Sequence, residues 1–233
     1  MIILELKNTK ISNMLAKHLI SDLIIPLKTS DTGSDVLSRM DDYRLSHLPI
    51  VNNEEFLGLV SEDDIYAMDN YDEAIGGQKL SLTSVHVTQE QHIFDVIRQF
   101  AELHLSLVPV LDYKNNYLGS ITIGQLVSNF SKIAAIENPG GVIVLEVSQN
   151  DYMLSEISQI IESNDAKVLS LCVISNPDST KLEITIKINK IDIQSVLQTF
   201  SRYNYIVKAS FTKSDDFEDL KDRYDSFMNY LNI

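Results

Sequence analysis

Leu48-Pro49-Ile50-Val51, followed after a polar turn by Leu57-Gly58-Leu59-Val60-Ser61, decides the fold, because the chain writes it twice. The second copy is Val108-Pro109-Val110-Leu111, then Leu118-Gly119-Ser120-Ile121-Thr122. Upstream, Asp35-Val36-Leu37 falls on Asp95-Val96-Ile97, Met40 on Phe100, and Leu45-Ser46 on Leu105-Ser106. The spacing changes by one residue between proline and glycine, inside the turns Asn52-Asn53-Glu54-Glu55 and Asp112-Tyr113-Lys114-Asn115-Asn116. Polar turns absorb such an insertion at little cost. A fixed-period repeat is the first feature to read in a chain, because it sets the architecture.

Each copy reads as β-α-β-β-α. A short apolar strand (Leu23–Leu27; Val85–Val87) leads into a helix. Val36, Leu37, Met40 and Tyr43 share one helical face, and Ile93, Val96, Ile97, Phe100 and Leu103 share the other copy's. A strand then opens at the proline, where a missing N–H costs least. A second strand is entered at the glycine, and a helix begins at Ser61 or Thr122. One such half buries little by itself. Two halves closed about an approximate twofold axis share a core and leave two matching clefts.

Asn138-Pro139-Gly140-Gly141 marks a boundary, with three turn-forming residue types in four positions. Beyond it the expected order is strand Val142–Val147, helix Tyr152–Ser163 with Met153 inward, and strand Val168–Ile174 with Cys172 in its core. Strand Leu182–Ile188, helix Ile193–Phe200 and strand Tyr205–Phe211 follow. This β-α-β-β-α-β order is the split βαβ, ferredoxin-like arrangement. At the end, Phe217, Leu220, Tyr224, Phe227 and Leu231 make an apolar stripe at helical spacing, with Asp215 and Glu218 placed as a capping box. The stripe suits either a second subunit or the chain's own C-terminal domain. Near the start, Ile11, Met14, Leu15, His18 and Leu19 make another helical face, expected to pack on the repeats.

The order apolar-Pro-apolar strand, Gly-apolar strand and Ser/Thr-led helix, twice over, resembles a CBS-domain pair, or Bateman module. The following unit resembles an ACT-like domain, and the whole resembles the acetoin-utilisation AcuB-type proteins. The expected class is α+β, a tandem CBS pair with pseudo-twofold symmetry plus a ferredoxin-like domain. The domains are expected at 1–134 (repeats about 8–75 and 78–132) and 141–212, with a C-terminal helix over 213–233. The resemblance implies a non-catalytic sensor that binds an adenosine-type ligand, nucleotide or nucleoside, between the repeats and signals to an attached domain or dimer partner. An assembly protein with vestigial clefts is the competing reading.

On that resemblance Ser61 takes a phosphate oxygen and Asp64 both hydroxyls of a ribose. A capping box uses the same atoms, so the two readings stand side by side. His47, just before Leu48-Pro49, is either a phosphate or base contact or a half-buried strand-edge histidine; Leu48 lies beside it on the cleft. The second cleft carries Thr122 and, in place of the aspartate, Gln125. An amide cannot accept from two hydroxyls on one charged group as a carboxylate does. Lys28, Arg39 and Arg44 are the first half's cations. The ACT resemblance implies a glycine between the first strand and helix, but the loop is Ser148-Gln149-Asn150-Asp151-Tyr152-Met153. Pairing with a second copy, as a homodimer, is the role expected of that domain.

Composition narrows the partners. Nineteen Lys and Arg stand against 33 Asp and Glu, a net charge of −14. Such a field repels nucleic acid and anionic membranes. The start, MIILELKNTK, has no basic-then-apolar leader, and the single cysteine cannot make an internal disulfide, so the cytoplasm is the expected compartment. No phosphate-cradling glycine loop, nucleophile elbow or zinc-type Cys/His spacing occurs, so neither catalysis nor a required cofactor is expected.

Overall fold

A computed structural model describes residues 14–81 and 84–212. Ile11 and the expected C-terminal helix over 213–233 lie outside the described residues. The chain forms two compact units, divided between Phe130 and Ser131.

In the first unit each repeat contributes a helix, a hairpin and a second helix. The first repeat holds α1 (Gly33–Tyr43), β1 (His47–Asn52), β2 (Glu55–Ser61) and the short α2 (Glu62–Tyr66). The second holds β3 (Val87–Thr88), α3 (Ile93–Leu103), β4 (Leu107–Leu111), β5 (Tyr117–Thr122) and α4 (Ile123–Ile133). Both hairpins are antiparallel and bulged at the same point: Leu57 is the extra residue beside Gly58, and Leu118 beside Gly119. Both glycines sit at positive φ (151° and 152°), and a Cβ on Gly119 would overlap Ile20 Cγ2. The glycine shared by the repeats is thus a backbone requirement of the bulge.

The prolines fall inside the strands rather than at their openings. Pro49 is paired with Leu59. Its carbonyl accepts from Leu27 N at 2.8 Å, and its missing N–H lies on that same edge, so the ladder with β2 loses nothing. The strand expected over Leu23–Leu27 reduces to this contact: only Leu27 bridges, to Ile50, while Leu23 and Ile25 are 78% and 62% exposed. An apolar run without a partner strand along its length does not form a ladder. In the second repeat only Val87 and Thr88 pair, parallel to β4.

The approximate twofold axis is visible in which residues touch. Glu55 bridges to Asn116, its own counterpart, and Phe56 stacks on its counterpart Tyr117 with ring centroids 6.5 Å apart and planes 18° apart. Residues related by a duplication meet each other only at the axis that relates them.

The repeats also exchange their leading segments. Met14–Lys17 runs along the start of the second repeat: Ala16 N donates to Gln91 O at 2.9 Å, Ile93 N to Met14 O at 2.7 Å and Lys17 N to Gln89 O at 3.2 Å. Glu73–Gly76 does the same to the first: Ile75 N to Asp31 O at 2.9 Å, Gly33 N to Glu73 O at 3.3 Å and Gly76 N to Thr29 O at 2.9 Å. Each segment precedes one repeat in the chain and docks on the other. The leading face expected to be helical is a single 3-10 turn, Ala16–His18, and its Ala16 and Leu19 are fully buried.

The second unit comprises β6 (Val142–Ser148), α5 (Leu154–Glu162), β7 (Val168–Ser175), β8 (Lys181–Ile188), α6 (Gln194–Arg202) and β9 (Ile206–Phe211). The strand order is β7-β8-β6-β9, every neighbouring pair antiparallel, which is the ferredoxin-like topology. Alternation in β6 and β8 turns Ile143, Leu145, Ile184 and Ile186 onto α5 and α6, where Ile157, Ile161, Val196 and Phe200 meet them; all eight are fully buried. Each such side chain is worth about 1.5–3 kcal/mol. Two expectations fail at the edges of this core. Met153 is 52% exposed, because α5 starts at Leu154, two residues later than expected, and leaves Met153 at its N-cap. Cys172 is exposed, because β7 is an edge strand whose second half no helix among the described residues covers.

Candidate functional site

The β1–β2 register brings the first set of predicted residues together, pairing His47 with Ser61. Ser61 ends the strand with extended backbone (φ −99°, ψ 163°) and caps α2, which is how a β-strand hands over directly to a helix. A complete capping box forms. Asp64 N donates to Ser61 Oγ at 3.2 Å, and Asp64 Oδ2 accepts from Ser61 N at 2.9 Å and Ser61 Oγ at 2.7 Å.

The other oxygen of Asp64 is engaged too. Oδ1 accepts from Ser81 N at 3.0 Å and Ser81 Oγ at 2.6 Å. Ser81 sits in the connection between the repeats, with no periodicity to announce it, and sequence reasoning missed it. Burial pushes the Asp64 carboxyl up, but the hydrogen bonds from Ser81 and Ser61 outweigh it, and the group sits below the usual carboxylate range. A depressed acid stabilises the fold above its unfolded value near pH 4, and that contribution is lost as pH falls through the folded value. Asp64→Asn is therefore expected to flatten the acid limb of the first unit's stability below about pH 4. Urea melts at stepped pH check this; an unchanged acid limb refutes the assignment.

His47 lies between the repeats. Its backbone N donates to Ser106 Oγ at 3.0 Å, and its Nδ1 lies 3.0 Å from Ser46 Oγ and 3.3 Å from Ser106 Oγ. Ser46 and Ser106 are counterparts, so this is a second meeting point on the axis. Burial holds the imidazole below its ordinary value, against an upward pull from Asp64, Glu62 and Asp63. A neutral ring with its proton on Nε2 can accept both hydroxyls at Nδ1. Leu48 is fully buried and paired with Val60, and by strand alternation its side chain turns into the core on the sheet face opposite His47 and Ser61.

The second set is looser. Leu107 pairs with Thr122, as His47 does with Ser61. Gln125 N donates to Thr122 Oγ1 at 3.3 Å, and the Gln125 residue is exposed. Two of the cations expected to serve a phosphate, Arg39 and Lys28, are elsewhere. Arg39 pairs with Asp31 at 3.0 Å. Lys28 lines a cavity of about 370 Å³ with Thr29, Ser30, Asn52 and Asn53, at the opposite end of β1 from His47. The five-residue α2 sums few peptide dipoles, which weakens its positive end. Two further cavities, of about 460 and 300 Å³, lie in the second unit and share Glu146 and Lys181. Among the described residues no group of three or more His, Cys, Asp or Glu is placed to hold a metal ion, and no helix is long and apolar enough to cross a membrane.

The duplicated hairpins, each ending in a hydroxyl-capped helix about one axis, define a CBS-domain pair. The CBS domain family model matches residues 16–68 and 81–132, so the first unit is a pair of CBS domains. The uncharacterized protein MJ0188 of Methanocaldococcus jannaschii is 25% identical over 115 residues, 49% of this chain. The match spans 42% of that relative's length. Among solved structures, a CBS domain pair/ACT domain protein from Thermotoga maritima superposes with a TM-score of 0.46 at 20% identity, over 51% of this chain and 98% of that one. CBSX2 from Arabidopsis thaliana, solved in complex with AMP, gives 0.45 at 20% identity, over 52% and 98%. The cytosolic domain of the Mg2+ channel MgtE, solved with ATP, gives 0.42 at 16% identity, over 50% and 48%.

Proposed function

We propose that this protein is a non-catalytic regulatory sensor whose CBS pair, placed at 1–134, binds an adenosine-containing ligand at His47, Ser61 and Asp64. The ACT-like domain, placed at 141–212, or a homodimer contact, receives the signal in the cytoplasm. The observation that carries this reading is the Asp64 carboxylate. Its Oδ1 accepts an O–H and an N–H from Ser81, a loop residue. A pair of ribose hydroxyls offers two O–H donors, which take their place when Ser81 withdraws. His47 and the serines on the axis supply polar contacts to the rest of the nucleoside.

Charge narrows the ligand. Glu62, Asp63 and Asp64 surround the site, while Arg39 pairs with Asp31 and Lys28 lies at the far end of β1. A nucleoside or monophosphate meets less repulsion there than a triphosphate. The Thr122 and Gln125 cleft, lacking the carboxylate, binds the same ligand more weakly.

Thermal unfolding across adenosine, AMP, ADP and ATP tests the proposal. A ligand at a hundred times its dissociation constant stabilises by about 2.7 kcal/mol. The expected order of response is adenosine and AMP above ATP. A flat response across the panel overturns the proposal. It leaves the second reading, an assembly protein whose capping boxes only close helices, which the full internal hydrogen bonding of Asp64 favours.

A further inference from the structure

A duplicated fold carries its own control: a backbone feature built twice need not carry the same side chains twice. At the end of β1 away from His47, the loop before α1 makes one such feature. Asp31 N donates to Lys28 O at 3.0 Å, and Asp31 Oδ2 accepts from Lys28 N at 2.9 Å. In the second repeat Gln91 N donates to Thr88 O at 3.0 Å, and Gln91 Oε1 accepts from Thr88 N at 2.6 Å. Leu27 bridges to Ile50 just as Val87 pairs with Val110. The turn belongs to the fold, and its side chains do not. Where the first repeat has Lys28, Ser30 and Asn52, the second has Thr88, Glu90 and Asp112. One scaffold thus presents a cation in one half and two carboxylates in the other.

In the first repeat this turn lines the cavity of about 370 Å³, with Lys28, Thr29, Ser30, Asn52 and Asn53 as its polar walls and Ile25 and Pro26 as apolar ones. Its lining holds no carboxylate, in a chain with 33 Asp and Glu. The acid of the turn, Asp31, is committed to Arg39 at 3.0 Å and to Lys28 N. Among the described residues, the five polar side chains hydrogen-bond or pair with no other protein group. Asn53 also meets a backbone need, since it sits at φ 56° in the hairpin turn. Asn52 ends β1 in extended backbone and meets none.

We propose that this cavity is a second ligand site, for the phosphate monoester of a small polyol. Lys28 supplies the charge, as a point cation on a flexible stem. The Thr29 and Ser30 hydroxyls donate to phosphate oxygens, and the Asn52 and Asn53 amides both donate to and accept from the hydroxyls of the organic part. At about 370 Å³ the cavity falls within the roughly 300–1,000 Å³ of small-molecule sites, so an organic body accompanies the anion against Ile25 and Pro26. The net charge of −14 does not forbid an anion here. Exposed charges act over only about 8–10 Å at physiological salt, so the groups on the cavity wall decide. The site lies at the opposite end of β1 from Ser61 and Asp64 and does not depend on the adenosine reading of that cleft.

Nuclear magnetic resonance titration of the full nitrogen-15-labelled chain tests this, with inorganic phosphate, glycerol phosphate and glycerol as probes at constant ionic strength. Saturable shifts are expected at residues 28–31 and 52–53, with glycerol phosphate bound more tightly than phosphate and glycerol alone giving none. The second repeat shows which side chains the scaffold tolerates. Lys28→Thr and Ser30→Glu bring in the residue types of Thr88 and Glu90, so both variants are expected to keep the native melting temperature and the rest of the spectrum. Each is expected to weaken glycerol phosphate binding by about tenfold or more. Asp64→Asn is expected to leave that binding unchanged, and shifts at 28–31 in a chain that ignores adenosine and AMP would still support this site. An absence of saturable shifts, shifts centred on Ser61 and Asp64 instead, or equal binding by the native chain and both variants overturns the proposal.

Discussion

Gly140→Ala is expected to lower the stability of the second unit by about 3–4 kcal/mol. Gly140 adopts φ +145°, and a Cβ there would fall inside the carbonyl oxygen of Ile188, with Ile188 C at 3.0 Å and Asn189 Cα at 3.2 Å. All three obstacles are backbone, so no side chain can step aside. Strain at such a conformation costs about 1–3 kcal/mol. Relief requires parting the ends of β6 and β8, which breaks the bond from Ile188 N to Gly141 O at 3.0 Å, about 1 kcal/mol more. A unit of this size has only about 5–15 kcal/mol in all. Calorimetry is expected to show its transition falling by roughly 15–25 °C. A fall of less than about 5 °C would mean the β6–β8 junction is softer than its geometry implies.

Substitutions at Asp64 and Ser81 are expected to move ligand affinity in opposite directions. Asp64→Asn keeps the size and a capping oxygen but removes the charge that strengthens hydrogen bonds from two hydroxyls. Each charge-assisted bond is worth about 1.5–3 kcal/mol, so affinity for adenosine or AMP is expected to fall about a hundredfold or more. Ser81→Ala removes the hydroxyl, one of the chain's own two competitors for Oδ1, and leaves the backbone N–H. Its affinity is expected to rise, by up to about tenfold, since about 1 kcal/mol no longer has to be given up on binding. Isothermal titration of both variants decides the point. A Ser81→Ala protein that binds more weakly than the native one would show that the serine contacts the ligand rather than yielding to it.

What could be read from residue order was whatever the backbone demands at a single point. Pro49 and Pro109, Gly58 and Gly119, and Ser61 with Asp64 each answer a local geometric need, so their spacing exposed both hairpins and the capping box before any coordinates. The ferredoxin-like order was legible for a similar reason: strict alternation in Leu182–Ile188 and the 3.6-residue period of α5 and α6 each declare one buried face. The remainder depends on distant partners. Leu23–Leu27 has a strand's composition but nothing alongside it except at Leu27. Cys172 sits in an apolar run that reads as core, and only the strand order shows that the run lies at an edge. The stacked pair Phe56 and Tyr117, and the hold of Ser81 on Asp64, join residues whose neighbours in the chain give no hint of the contact.

The crossed docking of Met14–Lys17 and Glu73–Gly76 bears on where such a molecule comes from. Each half lends its opening residues to the other, as two identical chains do when they swap an arm. A single gene-sized half, expressed alone, would find its missing edge only in another copy of itself. The present chain has the arrangement that two such mates would have if joined end to end, one half carrying the carboxylate at residue 64 and the other an amide at 125. Cutting the connection near residue 80 should therefore leave the two fragments clasped in solution.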